Sequence, residues 1–213
     1  MPKHPRYQDY VIADGKLVGD FETMYRDFDD PWEQTTREEF ASEKAVALNL
    51  LARLKARNGC RRVLELGCGF GDFAAKATAL GYDSFGLDIS ETAIAKAKAR
   101  HPQTTFMTGT LSDHGLIRDV RPDVIVMAEI TWYVLEQLPD FIAFLKRDLP
   151  QTYLVHLLMT YAPGVQKYGA DVFTNLDEIK AYFGFDYLES GLVHYDGGAR
   201  TWFLGKPRPA QGD

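Results

Sequence analysis

A chain of 213 residues with 46% hydrophobic and 25% charged content suits one globular domain with a full core. Its 24 Lys plus Arg against 30 Asp plus Glu leave a net charge of −6, so it lacks the broad basic field that grips DNA or RNA. Two cysteines give neither a disulfide framework nor metal-ligand spacing, and the polar start MPKHPRYQDY and the absence of an apolar run of roughly 20 residues argue against export and membrane spanning, so a cytoplasmic protein is expected.

Residues 1–10 read as a loose arm. Asp14-Gly15 between two short apolar pieces is a hairpin signal. Residues 20–32 can form a short helix capped by Asp20 and broken by Pro31. A long helix is predicted near 36–57, with Thr36 and Glu39 as a capping box, Phe40, Ala47, Leu51 and Leu54 at helical spacing, and Asn58-Gly59 as the stop.

From residue 61 strands alternate with helices. RVLEL, SFGLDI, TTFMTG, DVIVMAE and TYLVHLLM read as five strands, with helices at 72–80, 91–100 (capped by Ser90), 112–119 and 137–147 between them. This rhythm predicts a mainly parallel sheet covered by helices on both faces. Thr174 or Asn175 can cap a further helix ending near Phe183. YLESGLVHY and RTWFLGK then flank the turn-rich Asp196-Gly197-Gly198-Ala199, which predicts a closing hairpin. Residues 1–59 are read as arm, lid and helix, 60–206 as the core of the same domain, and 207–213 as a frayed tail.

The stretch ELGCGFGD, residues 65–72, runs from the first of these strands into a helix. Glycines there permit positive φ and let a ligand approach bare backbone, while the helix start aims free N–H groups at the loop. The ligand should sit at the carboxyl end of the sheet, at the switch point of strand order. The spacing Gly67, Gly69, Gly71 puts the third glycine one residue early for a dinucleotide fingerprint, Asp72 would repel a pyrophosphate, and no Gly-Lys-Ser/Thr follows for a Walker loop. A ligand-free tight turn would need only one glycine. Glu65 could accept from a ligand ammonium, and Asp88, ending the next strand, stands where a carboxylate meets ribose hydroxyls. S-adenosylmethionine carries both groups, a sulfonium and no phosphate.

On these residues the chain resembles the class I S-adenosylmethionine-dependent methyltransferases: VLELGCGFGD looks like their first motif and FGLDIS like their second. The resemblance implies a Rossmann-like, doubly wound seven-stranded sheet whose last strand is antiparallel. It carries Glu65, Gly67, Gly69 and Gly71, with Cys68 between them, over to the methionine part of the cofactor, Asp88 to the ribose and Ile89 to the adenine face. The family often has Gly-Asp after the third strand; Thr110 stands there here, leaving its hydroxyl and the Leu111 backbone as substitutes for the adenine contact. DDPW before a helix carrying Lys44, together with MAEITWYVL, is similar to small methyltransferases of nodulation-factor and bacterial surface-glycan pathways. That implies a sugar-derived or capsule-modifying acceptor, including a phosphate or phosphoramidate one; oxygen is the expected site of methylation. The alternatives are a non-catalytic S-adenosylmethionine-binding protein and an NAD-dependent oxidoreductase.

Methyl transfer needs an acceptor held in line in a dry site, with a general base only for a neutral acceptor. Glu129, after the fourth strand, could hydrogen-bond the cofactor, hold substrate, act as base or be a solvated strand-end acid. Trp132 and Tyr133 beside it serve packing or recognition. His156 is either a core histidine or a group that orients the acceptor and takes its proton. In the loop 159–169, Tyr161, Lys167 and Tyr168 are candidate substrate contacts, Lys167 for an acidic acceptor. Tyr25 and Trp32 could form a lid. His194 and Arg200 read as structural or solvent-facing, and no metal is indicated.

Overall fold

The computed structural model describes residues 2–32, 41–162 and 164–208. The capping box of Thr36 and Glu39, with Phe40, lies outside the described residues.

The N-terminal arm is ordered rather than loose. A 3-10 turn at Tyr7–Tyr10 leads into a hairpin of β1 (Ile12–Ala13) and β2 (Lys16–Leu17), whose turn residues Asp14 and Gly15 have φ of 52° and 72°. Tyr10 is fully buried; its hydroxyl donates to Asp27 and accepts from the His4 N–H. Helix α1 (Phe21–Asp27) follows, with Asp20 at its cap position but its carboxylate paired with Lys3.

Helix α2 (Ala41–Asn58) ends at Gly59, φ 68°. The core then alternates β3 (Arg62–Leu66), α3 (Asp72–Ala79), β4 (Asp83–Asp88), α4 (Glu91–Arg100), β5 (Thr105–Thr108), α5 (His114–Val120), β6 (Val124–Ala128), α6 (Leu138–Asp148) and β7 (Tyr153–Tyr161). Helix α7 (Leu176–Phe183) and the hairpin β8 (Phe185–Tyr195) and β9 (Gly198–Pro207) complete it. The side chains of Ser90 and Asn175 cap α4 and α7 as expected, accepting from the N–H groups of Ala93 and Glu178.

The sheet order is β5-β4-β3-β6-β7-β9-β8, parallel from β5 through β7, with β9 antiparallel to both neighbours. Alternation along the central strands divides two apolar layers. Val63, Val126 and Val155 pack under α2 and α3 with Leu51, Phe73 and Ala77. Leu64, Ile125 and Leu154 pack on the other face with Phe141, Phe144 and Phe183. The order reverses between β3 and β6, so β3, β4 and β6 open a crevice at their carboxyl ends. The tail begins later than expected: β9 includes Pro207, and Arg208 pairs with Asp186. Residues 209–213 lie outside the described set.

Candidate active site

The glycine loop is folded back on the end of β4. Gly67 and Cys68 both donate their N–H to the Leu87 carbonyl, at 2.7 and 3.0 Å. The Asp88 carboxylate then locks the loop, accepting from Gly69 N at 2.8 Å and from Ser90 N at 3.0 Å. Gly67, φ 67°, has no room for a side chain, because a Cβ would fall 2.3 Å from Ile130 Cγ2. Gly71, φ 80°, serves packing instead: a Cβ there would lie 2.3 Å from the Phe106 ring. Of the three glycines only Gly67 lines the cavity that the loop borders.

That cavity, of about 440 Å³, lies in the range of small-molecule sites. Glu65 and Asp88, both 6% exposed, face it from adjacent strands. Glu65 accepts from Ala74 N, in the first turn of α3, at 3.0 Å. Burial drives its carboxyl up to about 8, a shift opposed by that hydrogen bond and by the Lys44 ammonium. Burial also raises Asp88, against the N–H groups that favour its charge. Lys44 lines the same end of the cavity from α2. Ile89, a large apolar side chain, lines the rim and is 54% exposed. Thr110 and Leu111 line the wall beyond it, with Gln137 from the start of α6. The Thr110 hydroxyl is already committed, donating to Asp113 Oδ2 at 3.0 Å and accepting from Ser112 N at 3.2 Å.

The opposite half is aromatic. Glu129 directly follows β6 in the left-handed region, φ 61°, which is uncommon for a residue with a side chain. Its carboxylate accepts from Met159 N at 2.9 Å, so the ends of β6 and β7 fix it. Tyr7, Phe21, Tyr25 and Trp32 cover the cavity from the N-terminal segment, while Trp132, Tyr133 and Tyr161 line it from the sheet side. Trp32 Nε1 donates to the Tyr25 hydroxyl at 3.0 Å, and Trp132 Nε1 donates to the Met159 carbonyl at 2.9 Å. The cover is pinned to α4: Ser90 Oγ donates to Glu22 at 2.6 Å, and Lys96 Nζ to the Tyr25 carbonyl at 2.8 Å.

The sequence matches the methyltransferase domain family over residues 35–152, more than half of the chain. The chain belongs to that family. A Mycobacterium tuberculosis protein described as a probable S-adenosylmethionine-dependent methyltransferase is 32% identical over 94 residues, which is 44% of this methyltransferase-domain chain and 32% of the relative. The chain thus spans about a third of that relative's length. The PH0226 protein of Pyrococcus horikoshii OT3 shares the fold with a TM-score of 0.61 at 19% identity, covering 86% of this chain and 98% of that one. The N-methyltransferase NodS of Bradyrhizobium japonicum WM9, solved with S-adenosyl-L-homocysteine, gives 0.62 at 17% identity, covering 84% and 93%.

Four expected site residues of the methyltransferase-domain chain point elsewhere, and Gly69 and Gly71, already placed, stay off the cavity wall. Cys68 turns its thiol into the packing of Ala74, Ile94, Ala97 and Phe106, where burial pushes its pKa well up. Lys167 is exposed beside the β1–β2 turn, and Tyr168 is outside the cavity wall. Their loop packs on the sheet side, where Gly169 abuts Leu135 and Trp132, and Phe173 lies 5.1 Å from the Trp132 ring. His156 is a core residue. Along β7, Leu157 and Met159 face the cavity, so His156 faces away, stacked 4.8 Å from Phe203 with Nε2 at 2.7 Å from Thr131 Oγ1. Burial holds its pKa down at about 3. The folded state therefore refuses a proton that the unfolded chain takes below about 6.5, and His156 costs up to about 1.4 kcal/mol per pH unit as pH falls from there toward 3. Denaturant titrations of wild type and His156→Leu at pH 4 and 6.5 should differ by this slope.

Proposed function

We propose that the chain binds S-adenosylmethionine in this cavity and transfers its methyl group to a small acceptor. The observation that carries the reading is the placement of two buried carboxylates, Glu65 and Asp88, on adjacent strands at one half of a cavity whose other half is aromatic. When bound, the cofactor supplies an electrophilic methyl on its sulfonium.

The residues present fit that group. Asp88 keeps acceptor capacity toward ribose hydroxyls beyond its two backbone contacts. Glu65 accepts from the ammonium, and Lys44 is placed for the carboxylate. Ile89 and Leu111 offer apolar surface to the adenine, and Gln137 is better placed than the committed Thr110 hydroxyl to meet its polar edge. The N-terminal cover keeps water from the acceptor, and Glu129 stands where it can take a proton.

An anionic acceptor, phosphate or phosphoramidate, has less support than a neutral or cationic one. Lys167 stands apart, and Lys44, beside Glu65, is the one cationic side chain among the described lining residues. Incubation with S-adenosylmethionine and small amine and alcohol acceptors should release S-adenosylhomocysteine in step with methylated product. Tight cofactor binding without transfer to any of them would favour a non-catalytic binding protein.

A further inference from the structure

We infer that the methyl acceptor is an amine, received as a cation in the aromatic half of the cavity. The inference rests on the cofactor reading above and narrows its substrate class.

Five rings converge there: Tyr7, Phe21, Trp32, Tyr133 and Tyr161. Tyr7 meets Trp32 at 5.0 Å and 68°, Phe21 meets Tyr133 at 5.5 Å and 66°, and Trp32 meets Tyr133 at 5.8 Å and 34°. Rings set at such angles form a box rather than a stack. None of the five is fully buried, and all border the cavity, so ring surface is left for a ligand. The hydrogen bond from Trp32 to Tyr25 fixes the indole in this position.

A ring face is the negative part of an aromatic quadrupole and attracts an ammonium. Glu129 adds a carboxylate on the same wall. It is held there by a strained backbone, φ 61°, and by Met159 N. No Lys or Arg stands in this half among the described lining residues. Ring faces do not favour a phosphate, and an alcohol would gain nothing from the ring charge.

The chemistry balances. A primary or secondary amine arrives as ammonium and gives one proton to Glu129 or to solvent. The nitrogen lone pair then forms the new N–CH3 bond while the S–CH3 bond breaks, and the sulfur keeps the bonding pair. The positive charge passes to nitrogen, where the same box accommodates it. A tertiary amine arrives as ammonium too and gives up its one proton in the same way, and its product is a quaternary ammonium with no further proton to lose.

The test is calorimetric titration of the S-adenosylhomocysteine-loaded protein with choline, with its uncharged isostere 3,3-dimethylbutan-1-ol, and with methyl phosphate. Choline is expected to bind at least tenfold more tightly than either. Trp32→Leu should cost at least tenfold in choline affinity and Glu129→Gln about fivefold, with S-adenosylhomocysteine affinity within twofold of wild type. Equal or tighter binding of the alcohol or of methyl phosphate would overturn the inference. Failure of the cofactor reading would look different, because S-adenosylhomocysteine itself would then not bind.

Discussion

Asp88→Ala should weaken S-adenosylmethionine binding by at least tenfold. The carboxylate is buried at the end of β4 and faces the cavity, and it is the acid assigned to the ribose hydroxyls. A hydrogen bond to a charged group contributes about 1.5–3 kcal/mol, so losing even one gives a tenfold loss or more. The same carboxylate receives the N–H groups of Gly69 and Ser90, and alanine leaves both without it. The variant should therefore also be less stable, by a few kcal/mol at most, and melt at a lower temperature. Asp88→Asn separates the two effects, since the amide oxygen can still take one backbone N–H. Calorimetry and thermal melting on both variants check this. Unchanged cofactor affinity in Asp88→Ala would sink the ribose assignment.

Glu65 should make both stability and cofactor affinity depend on pH. Its folded pKa of about 8 lies above the ordinary 4.5, chiefly through burial. Between those values the folded protein keeps a proton that the unfolded chain has lost. The stability it confers is complete below 4.5 and is lost as pH rises toward 8, at up to about 1.4 kcal/mol per pH unit. His156 acts in the opposite direction below about 6.5, so the two slopes cancel between 4.5 and 6.5 and the Glu65 slope shows alone above that. An ammonium ligand needs the carboxylate form, so S-adenosylmethionine should bind more tightly as pH rises from 6 to 8, by up to about tenfold per unit, with proton release. Glu65→Gln keeps the acceptor for Ala74 N and should flatten both profiles. A wild-type affinity independent of pH over this range would mean that Glu65 does not meet the ammonium.

The fold was legible because its signals are local. The caps at Ser90 and Asn175, the turns at Asp14-Gly15 and Asp196-Gly197, and the alternation of strand and helix each sit in a few neighbouring residues. Asp88 and Glu65 were legible for the same reason, since a strand end next to a glycine loop fixes where its side chains go. His156 was not, because β7 is apolar on both faces and its sequence does not say which way the histidine points. Lys167 and Tyr168 failed because their loop follows a long-range contact, that of Gly169 with Trp132 and Leu135. The third glycine misled in a useful way: Gly71 is required by the Phe106 ring rather than by a ligand.

Lys44 had a signal as a site residue, though a faint one. It stands three residues before Ala47, on the stripe that continues through Leu51 and Leu54, and a lone ammonium on an apolar stripe is out of place unless it reaches a cavity. Gln137 had no comparable mark. Tyr7 and Phe21 were hidden by the polar look of the arm, whose order depends on the buried Tyr10 and its partner Asp27.

The central claim, that ELGCGFGD with Asp88 forms a sulfonium-cofactor site, is tested most directly by calorimetric titration of the purified protein with S-adenosylmethionine and, separately, with NAD. The account predicts a dissociation constant on the order of 1 μM for S-adenosylmethionine and no measurable binding of NAD. No binding of S-adenosylmethionine, or a preference for NAD, would contradict it.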